Sequence, residues 1–136
     1  MNKQLILQND VQQVPLLSQF IDELCETVGL DMATTMNLNL AIEEAVVNVM
    51  NYAYPQGTVG DVFIDTQIDD KQLEFTISDC GTPFDPTTWK EADITLSAED
   101  RPIGGLGIHL VKTIMDSVEY KYSDGKNMLT LIKRLA

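Results

Sequence analysis

Glu44 and Asn48 stand four residues apart in the run N-L-N-L-A-I-E-E-A-V-V-N-V-M-N-Y-A-Y, from Asn37 to Tyr54. On a helix they are neighbours on one face. A carboxylate beside an amide oxygen can position a metal ion and a nucleophile. Mg²⁺ in particular needs few protein oxygens when phosphates and waters complete its shell. Taken alone, either residue reads as surface polarity. A second group is D-C-G-T-P-F-D-P, from Asp79 to Pro86. Asp79 ends an apolar strand, where its carboxylate can face a pocket, and Gly81 would let a planar ligand approach the backbone. The same Asp-x-Gly is also an ordinary acidic turn at a strand end. The third group is R-P-I-G-G-L-G-I-H-L-V, from Arg101 to Val111. Glycines before a helix N-terminus suit an anion, because free N–H groups and the helix dipole both point there. The spacing is neither Walker A nor G-x-G-x-x-G. A flexible hinge with close helix packing explains the glycines equally well.

These groups need elements to hold them. In the Asn-rich segment, Leu38, Ile42, Ala45, Val46, Val49 and Ala53 form one apolar stripe at helical spacing. Asn37, Glu44, Asn48 and Asn51 fall on roughly the opposite side. Asn is a poor helix former, because its amide competes for backbone hydrogen bonds. This face carries no cation, and Leu40 and Val47 flank it, so it reads as half-buried and built to bind. Lys3 to Gln8 reads as a first strand. Asp10 caps a helix that runs to Val28 and ends at Gly29, with Pro15 near its first turn. Asp31 starts the Asn-rich helix, which stops before Pro55. Asp61–Ile68 and Gln72–Ser78 alternate as strands around a tight turn at Asp69–Lys71. Asp79 to Gly104 lacks periodicity, and a loop of that length is usually functional. A short helix, Ile108 to Met115, follows the glycines, and Val118–Ser123 with Met128–Arg134 close a hairpin across Asp124–Gly125. Helices and strands do not strictly alternate. The expected class is therefore α+β, with helices on one face of a mixed, mostly antiparallel sheet.

The 136 residues suit one domain, residues 1–136, and 44% are hydrophobic. Cys25 and Cys80 show no metal spacing and fit a reducing compartment. The chain begins without a signal-peptide pattern and has no membrane-length apolar run, so a cytoplasmic location and no membrane partner are expected. A formal net charge of −12 argues against direct contact with nucleic acid. It leaves room for a nucleotide, whose phosphates Mg²⁺ and backbone amides can hold locally.

E-E-A-V-V-N, D-C-G-T-P-F-D-P and G-G-L-G-I, in that order and at these separations, resemble the N, G1 and G2 boxes of the GHKL ATPase superfamily. Within it the chain looks like the anti-sigma factor serine/threonine kinases of the RsbW and SpoIIAB type. E-A-V-x-N followed by Tyr52, Ala53 and Tyr54, and the P-F-D-P after Gly81, carry that finer likeness. The resemblance implies a two-layer Bergerat-type sandwich that binds ATP or ADP with Mg²⁺. By it, Asp79 accepts the exocyclic amine of adenine and Gly81 lets the base pack close. Asn48 ligates Mg²⁺ and Glu44 is the general base that orients the attacking hydroxyl. Gly105, Leu106 and Gly107 bring backbone amides to phosphate, and Thr87 to Ile103 form the lid. Arg101 lies in that lid and either folds over the phosphates or stays solvated. Asn51 has a supporting place and Asn37, on the same face, is incidental, whereas Glu43 faces elsewhere and His109 is a surface residue. One position departs from the pattern. Where many members carry Gly-Thr, this chain reads G-K-N-M-L-T, leaving Lys126 or Asn127 near the place of the hydroxyl.

The implied function is phosphorylation of a serine on a STAS-type anti-anti-sigma protein, together with binding of a sigma factor. A homodimer is the common state of the family. The alternative is a nucleotide-gated binding module that transfers nothing, and the altered last strand favours it.

Overall fold

The computed structural model describes residues 2–55, 57–83, 85 and 105–135. Five strands, β1 (Asn2–Gln8), β2 (Asp61–Ile68), β3 (Gln72–Asp79), β4 (Ser117–Ser123) and β5 (Lys126–Arg134), form one sheet in the order β1-β2-β3-β5-β4. Every pairing is antiparallel, so the sheet is the strict form of the mostly antiparallel one expected. Three helices accompany it: α1 (Val14–Val28), α2 (Met32–Tyr52) and α3 (Gly105–Ile114). The α+β class and the one-sided layering agree with the sequence. The expected lid, Thr87–Ile103 with Arg101, lies outside the described residues.

Local chemistry accounts for most boundaries. Asp10 caps a 3₁₀ turn at Val11–Gln13 by accepting from the Gln12 N–H at 2.9 Å, and α1 begins only at Val14. The single long helix expected from Asp10 is therefore split. Pro15 sits at the start of α1, where its missing N–H costs least. Gly29 closes α1 at φ 81°, where glycine avoids the Cβ penalty. Asp31 caps α2 through the Thr34 N–H at 2.8 Å. The β4–β5 turn places Asp124 at φ 54° and Gly125 at φ 77°, the two positive angles that a tight hairpin needs.

The apolar stripe of α2 is fully buried, as are Phe75 and Ile77 of β3 and Leu129 and Leu131 of β5. α2 lies on β2 and β3, α3 packs on α2 and β4, and α1 packs on α2. Buried positions alternate along β3 and β5, so Asp79 and Asn127 continue the same sheet face as Ile77 and Leu129. They are direct partners across the β3–β5 ladder. That register carries a polar pair into the layer that α2 covers.

Candidate functional site

The site is built where the end of β3 meets the C-terminal end of α2. Asp79 is 1% exposed, Asn127 4% and Asn48 6%. A buried carboxylate is costly unless its oxygens find donors. Asp79 Oδ1 finds two: the Gly81 N–H at 2.8 Å and Asn127 Nδ2 at 2.9 Å. Among the described residues, Oδ2 takes no protein hydrogen bond. Burial pushes the Asp79 carboxyl above the ordinary Asp range, and the bonds from Asn127 and Gly81 pull it back. Asn127 Nδ2 also donates to the Thr82 carbonyl at 2.9 Å, and Tyr120 donates its hydroxyl to Asn127 Oδ1 at 2.5 Å.

A second set of bonds ties this strand end to the helix. The Thr82 N–H donates to the Ala53 carbonyl at 2.7 Å. Tyr54 donates its hydroxyl to the Asp61 carbonyl at 2.6 Å and accepts from the Cys80 N–H at 2.9 Å. Gly81 lies between these contacts. A Cβ there would sit 2.6 Å from the Ala53 carbonyl carbon and closer still to its oxygen. The structure thus gives Gly81 a packing reason of its own, apart from the approach of a ligand.

Asn48 is buried on α2, and its amide has no side-chain hydrogen bond among the described residues. Glu44, one turn earlier, is half-buried. Glu43 turns to α1, where Ser18 donates to its carboxylate, so the two adjacent glutamates do face different ways. Asn37 is exposed in a hollow with Ser18, Asp22 and Glu43, against α1. Asn51 is exposed in a hollow of about 550 Å³ with Gln8, Asn9 and Tyr54. Neither hollow includes Asn48 or Asp79. His109 is exposed on α3.

The glycine cluster differs from its expected place. α3 begins at Gly105, so Gly105, Leu106 and Gly107 form its first turn rather than a loop before Ile108. The first amides of a helix have no intrahelical partner, so the turn still offers N–H groups. On the last strand, Lys126 extends its ammonium over the Phe63 ring, 5.3 Å from the centroid, while Asn127 turns to Asp79. Thr130 pairs with Thr76 and lies off the buried alternation of Asn127, Leu129 and Leu131.

The donor set can be weighed against Mg²⁺ and a nucleotide. Among the described residues, no three His, Cys, Asp or Glu side chains gather as a metal cage. Mg²⁺ carried by phosphates asks for less, and one buried amide oxygen such as that of Asn48 suits it. A carboxylate oxygen without a donor among the described residues suits an exocyclic amine. Neither Tyr120, Thr82 nor Tyr54 was assigned a place here from sequence, although Tyr54 stood inside the aromatic-small-Tyr pattern.

A buried acid at the end of β3, tied through Thr82 to the end of a helix that carries a carboxylate and an amide, is the feature of this α+β domain that points to a ligand. The model of the histidine kinase-like ATPase domain matches residues 7–133, and the chain belongs to that family. It is similar to the serine-protein kinase RsbW of Listeria monocytogenes serovar 1/2a, 32% identical over 105 residues, which cover 74% of this chain and 67% of that one. The serine-protein kinase RsbW of Bacillus cereus (strain ATCC 14579) is 31% identical over 97 residues, 68% of this chain and 60% of that one. Among solved structures, the RsbU and RsbW domains of a Mycobacterium tuberculosis protein align with a TM-score of 0.71 at 14% identity, covering 99% of this chain and 32% of that chain. The histidine kinase domain of a blue-light activated kinase from Erythrobacter litoralis aligns at 0.59 and 14% identity, over 92% of this chain and 60% of that one. Both show the fold. No helix among the described residues is long and apolar enough to cross a membrane.

Proposed function

We propose that the chain is an ATP-dependent protein serine kinase that phosphorylates a STAS-type anti-anti-sigma protein and holds a sigma factor. The observation that carries the nucleotide part is Asp79: 1% exposed, with both protein donors on Oδ1 and Oδ2 left for a ligand. The similarity to RsbW serine-protein kinases supports the transfer. Asp79 Oδ2 accepts from the exocyclic amine of adenine. Asn48 offers its amide oxygen to Mg²⁺, and the first-turn amides of Gly105, Leu106 and Gly107 meet phosphate. Bound Mg-ATP supplies the phosphoryl group and the charge that neutralises it. Glu44 would accept the proton of the serine hydroxyl as that oxygen bonds the γ-phosphorus and the bond from the γ-phosphorus to the bridging oxygen of ADP breaks, with ADP as the leaving group. Phosphoryl transfer is mostly positioning and charge neutralisation, so one aligned carboxylate is the main chemical part that the protein adds.

The test is incubation with Mg-ATP and a cognate STAS domain. Phosphoserine on the STAS protein is expected. Glu44→Ala keeps ATP binding and loses transfer, by about 10²–10⁴-fold. Asn48→Ala loses Mg²⁺-dependent nucleotide binding. Equal weakening of ATP by both changes would mean that the chemistry belongs to another face of α2. A nucleotide-gated module without transfer is the second reading, favoured by G-K-N at the start of the last strand where many members of the family it resembles carry Gly-Thr. It predicts that partner regulation in cells survives Glu44→Ala.

A further inference from the structure

Asn127 is buried, and its side-chain amide is bonded at both its nitrogen and its oxygen. Its two amide hydrogens go to groups that can only accept, Asp79 Oδ1 and the Thr82 carbonyl, each at 2.9 Å. The amide is thereby fixed in one orientation, with Oδ1 on the far side. There Tyr120 donates its hydroxyl at 2.5 Å. A flipped amide would set oxygen against a carboxylate and a carbonyl and leave the phenol facing an NH₂. The chain has thus placed a donor–acceptor side chain of fixed polarity directly across the ladder from Asp79.

That geometry decides which carboxylate oxygen is available. The bonds from Asn127 and from the Gly81 N–H both fall on Oδ1. Oδ1 is saturated by the fold and the carboxylate plane is held. Oδ2 remains for whatever enters. Asn127 has no amide hydrogen left to offer the same ligand. It acts on the ligand only through Asp79.

We infer that Asn127, held by Tyr120, is a positioning residue that sets the Asp79 carboxylate for recognition of a 6-amino purine, in place of direct readout from the last strand. This deepens the nucleotide reading above and rests on it. It makes base selectivity, rather than overall nucleotide affinity, the property that Asn127 controls.

The experiment is a two-by-two comparison by titration calorimetry with Mg²⁺. Wild type and Asn127→Ala are each titrated with ATP and with purine riboside 5′-triphosphate, which lacks the 6-amino group. Wild type is expected to prefer ATP. Asn127→Ala should weaken ATP by roughly 10- to 100-fold, the range for a bond to a charged group. The analogue should change by less than about 3-fold, because Asp79 has nothing to accept from it. Equal losses for both ligands would mean that Asn127 merely supports the sheet. Unchanged ATP affinity would also overturn the inference. If wild type binds neither triphosphate, it is the nucleotide reading itself that fails. Tyr120→Phe keeps the question open to refutation should Asn127→Ala fail to fold. It removes the phenol's bond to Asn127 Oδ1, loosens the amide that holds Asp79, and should narrow the ATP preference in the same direction, by about 3- to 10-fold.

Discussion

Replacing Gly81 with alanine separates two reasons for a glycine at that position. If the residue exists only so that a base can approach, the ligand-free protein should tolerate alanine. The structure argues otherwise. The new Cβ would lie 2.6 Å from the Ala53 carbonyl carbon and 3.0 Å from Asp79 Oδ1. Carbon atoms rest about 3.5–4.0 Å apart, so roughly 1 Å of relief is needed. The obstacle is helix backbone, which has no rotamer to swing away. Overpacking of this kind costs about 1–3 kcal/mol. Opening the contact also breaks the 2.7 Å bond from the Thr82 N–H to that carbonyl, for about another 1 kcal/mol.

The expected loss is therefore about 2–4 kcal/mol. Unfolding entropy near 2.1 cal/mol/K per residue makes this about 0.29 kcal/mol/K for 136 residues, so Tm should drop by roughly 7–14 °C. The assay is thermal unfolding without nucleotide, at matched pH and protein concentration. ATP affinity should fall as well, because Thr82 also accepts from Asn127 and the turn carries Asp79. A ligand-free Tm within about 2 °C of wild type, with weakened ATP, would refute the packing argument and restore base approach as the sole reason.

Two other changes probe the same junction. Asp79→Asn keeps an acceptor at Oδ1 and removes a buried charge. An acid whose folded pKa is raised stabilises the fold fully below its ordinary pKa and loses that contribution as pH rises through the raised one. At neutral pH Asp79→Asn should therefore unfold no lower than wild type while binding ATP far more weakly. The stability of wild type relative to Asp79→Asn should decline as pH rises from the ordinary Asp range, and wild type gaining on the variant as pH rises would contradict the burial argument. Tyr54→Phe removes the bonds to the Asp61 carbonyl and from the Cys80 N–H. It should cost roughly 1–3 kcal/mol, read as a lower urea midpoint at constant slope. An unchanged midpoint would mean that the phenol does not tie α2 to the sheet.

What the sequence disclosed followed from local chemistry. Period-2 alternation located β2 over Asp61–Ile68, and the positive-φ needs of Gly29 and of Asp124–Gly125 marked a helix end and a hairpin. The apolar stripe from Leu38 to Ala53 identified the buried side of α2. The start of α3 was misplaced because three glycines lower helix propensity, yet a first turn tolerates them where its amides lack partners anyway. The split of α1 from the Asp10 turn lay beyond periodicity, since both segments share one apolar pattern. The Asp79–Asn127 pair was hidden for a different reason. It requires β5 to enter between β3 and β4, and strand order is a property of the packed sheet that no local pattern records.

That strand order also explains how two distant parts of the proposed nucleotide site are kept in register. Asn48 and Glu44 belong to α2, whereas Asp79 belongs to β3. Independent motion of the helix over the sheet would vary their separation and blur any transfer geometry. Three hydrogen bonds oppose that motion at one place. Tyr54 receives the Cys80 N–H, Ala53 receives the Thr82 N–H, and Thr82 in turn receives Asn127 from β5. Ala53 is five residues beyond Asn48, about 7.5 Å along the axis, short enough for a helix to act as a rigid lever. The end of α2 is thereby clamped to both central strands, and the same clamp fixes which oxygen Asp79 presents. Hydrogen bonds run without a break from the end of α2 through Thr82 and Asn127 to Asp79, whose Oδ2 is the oxygen left for the proposed ligand.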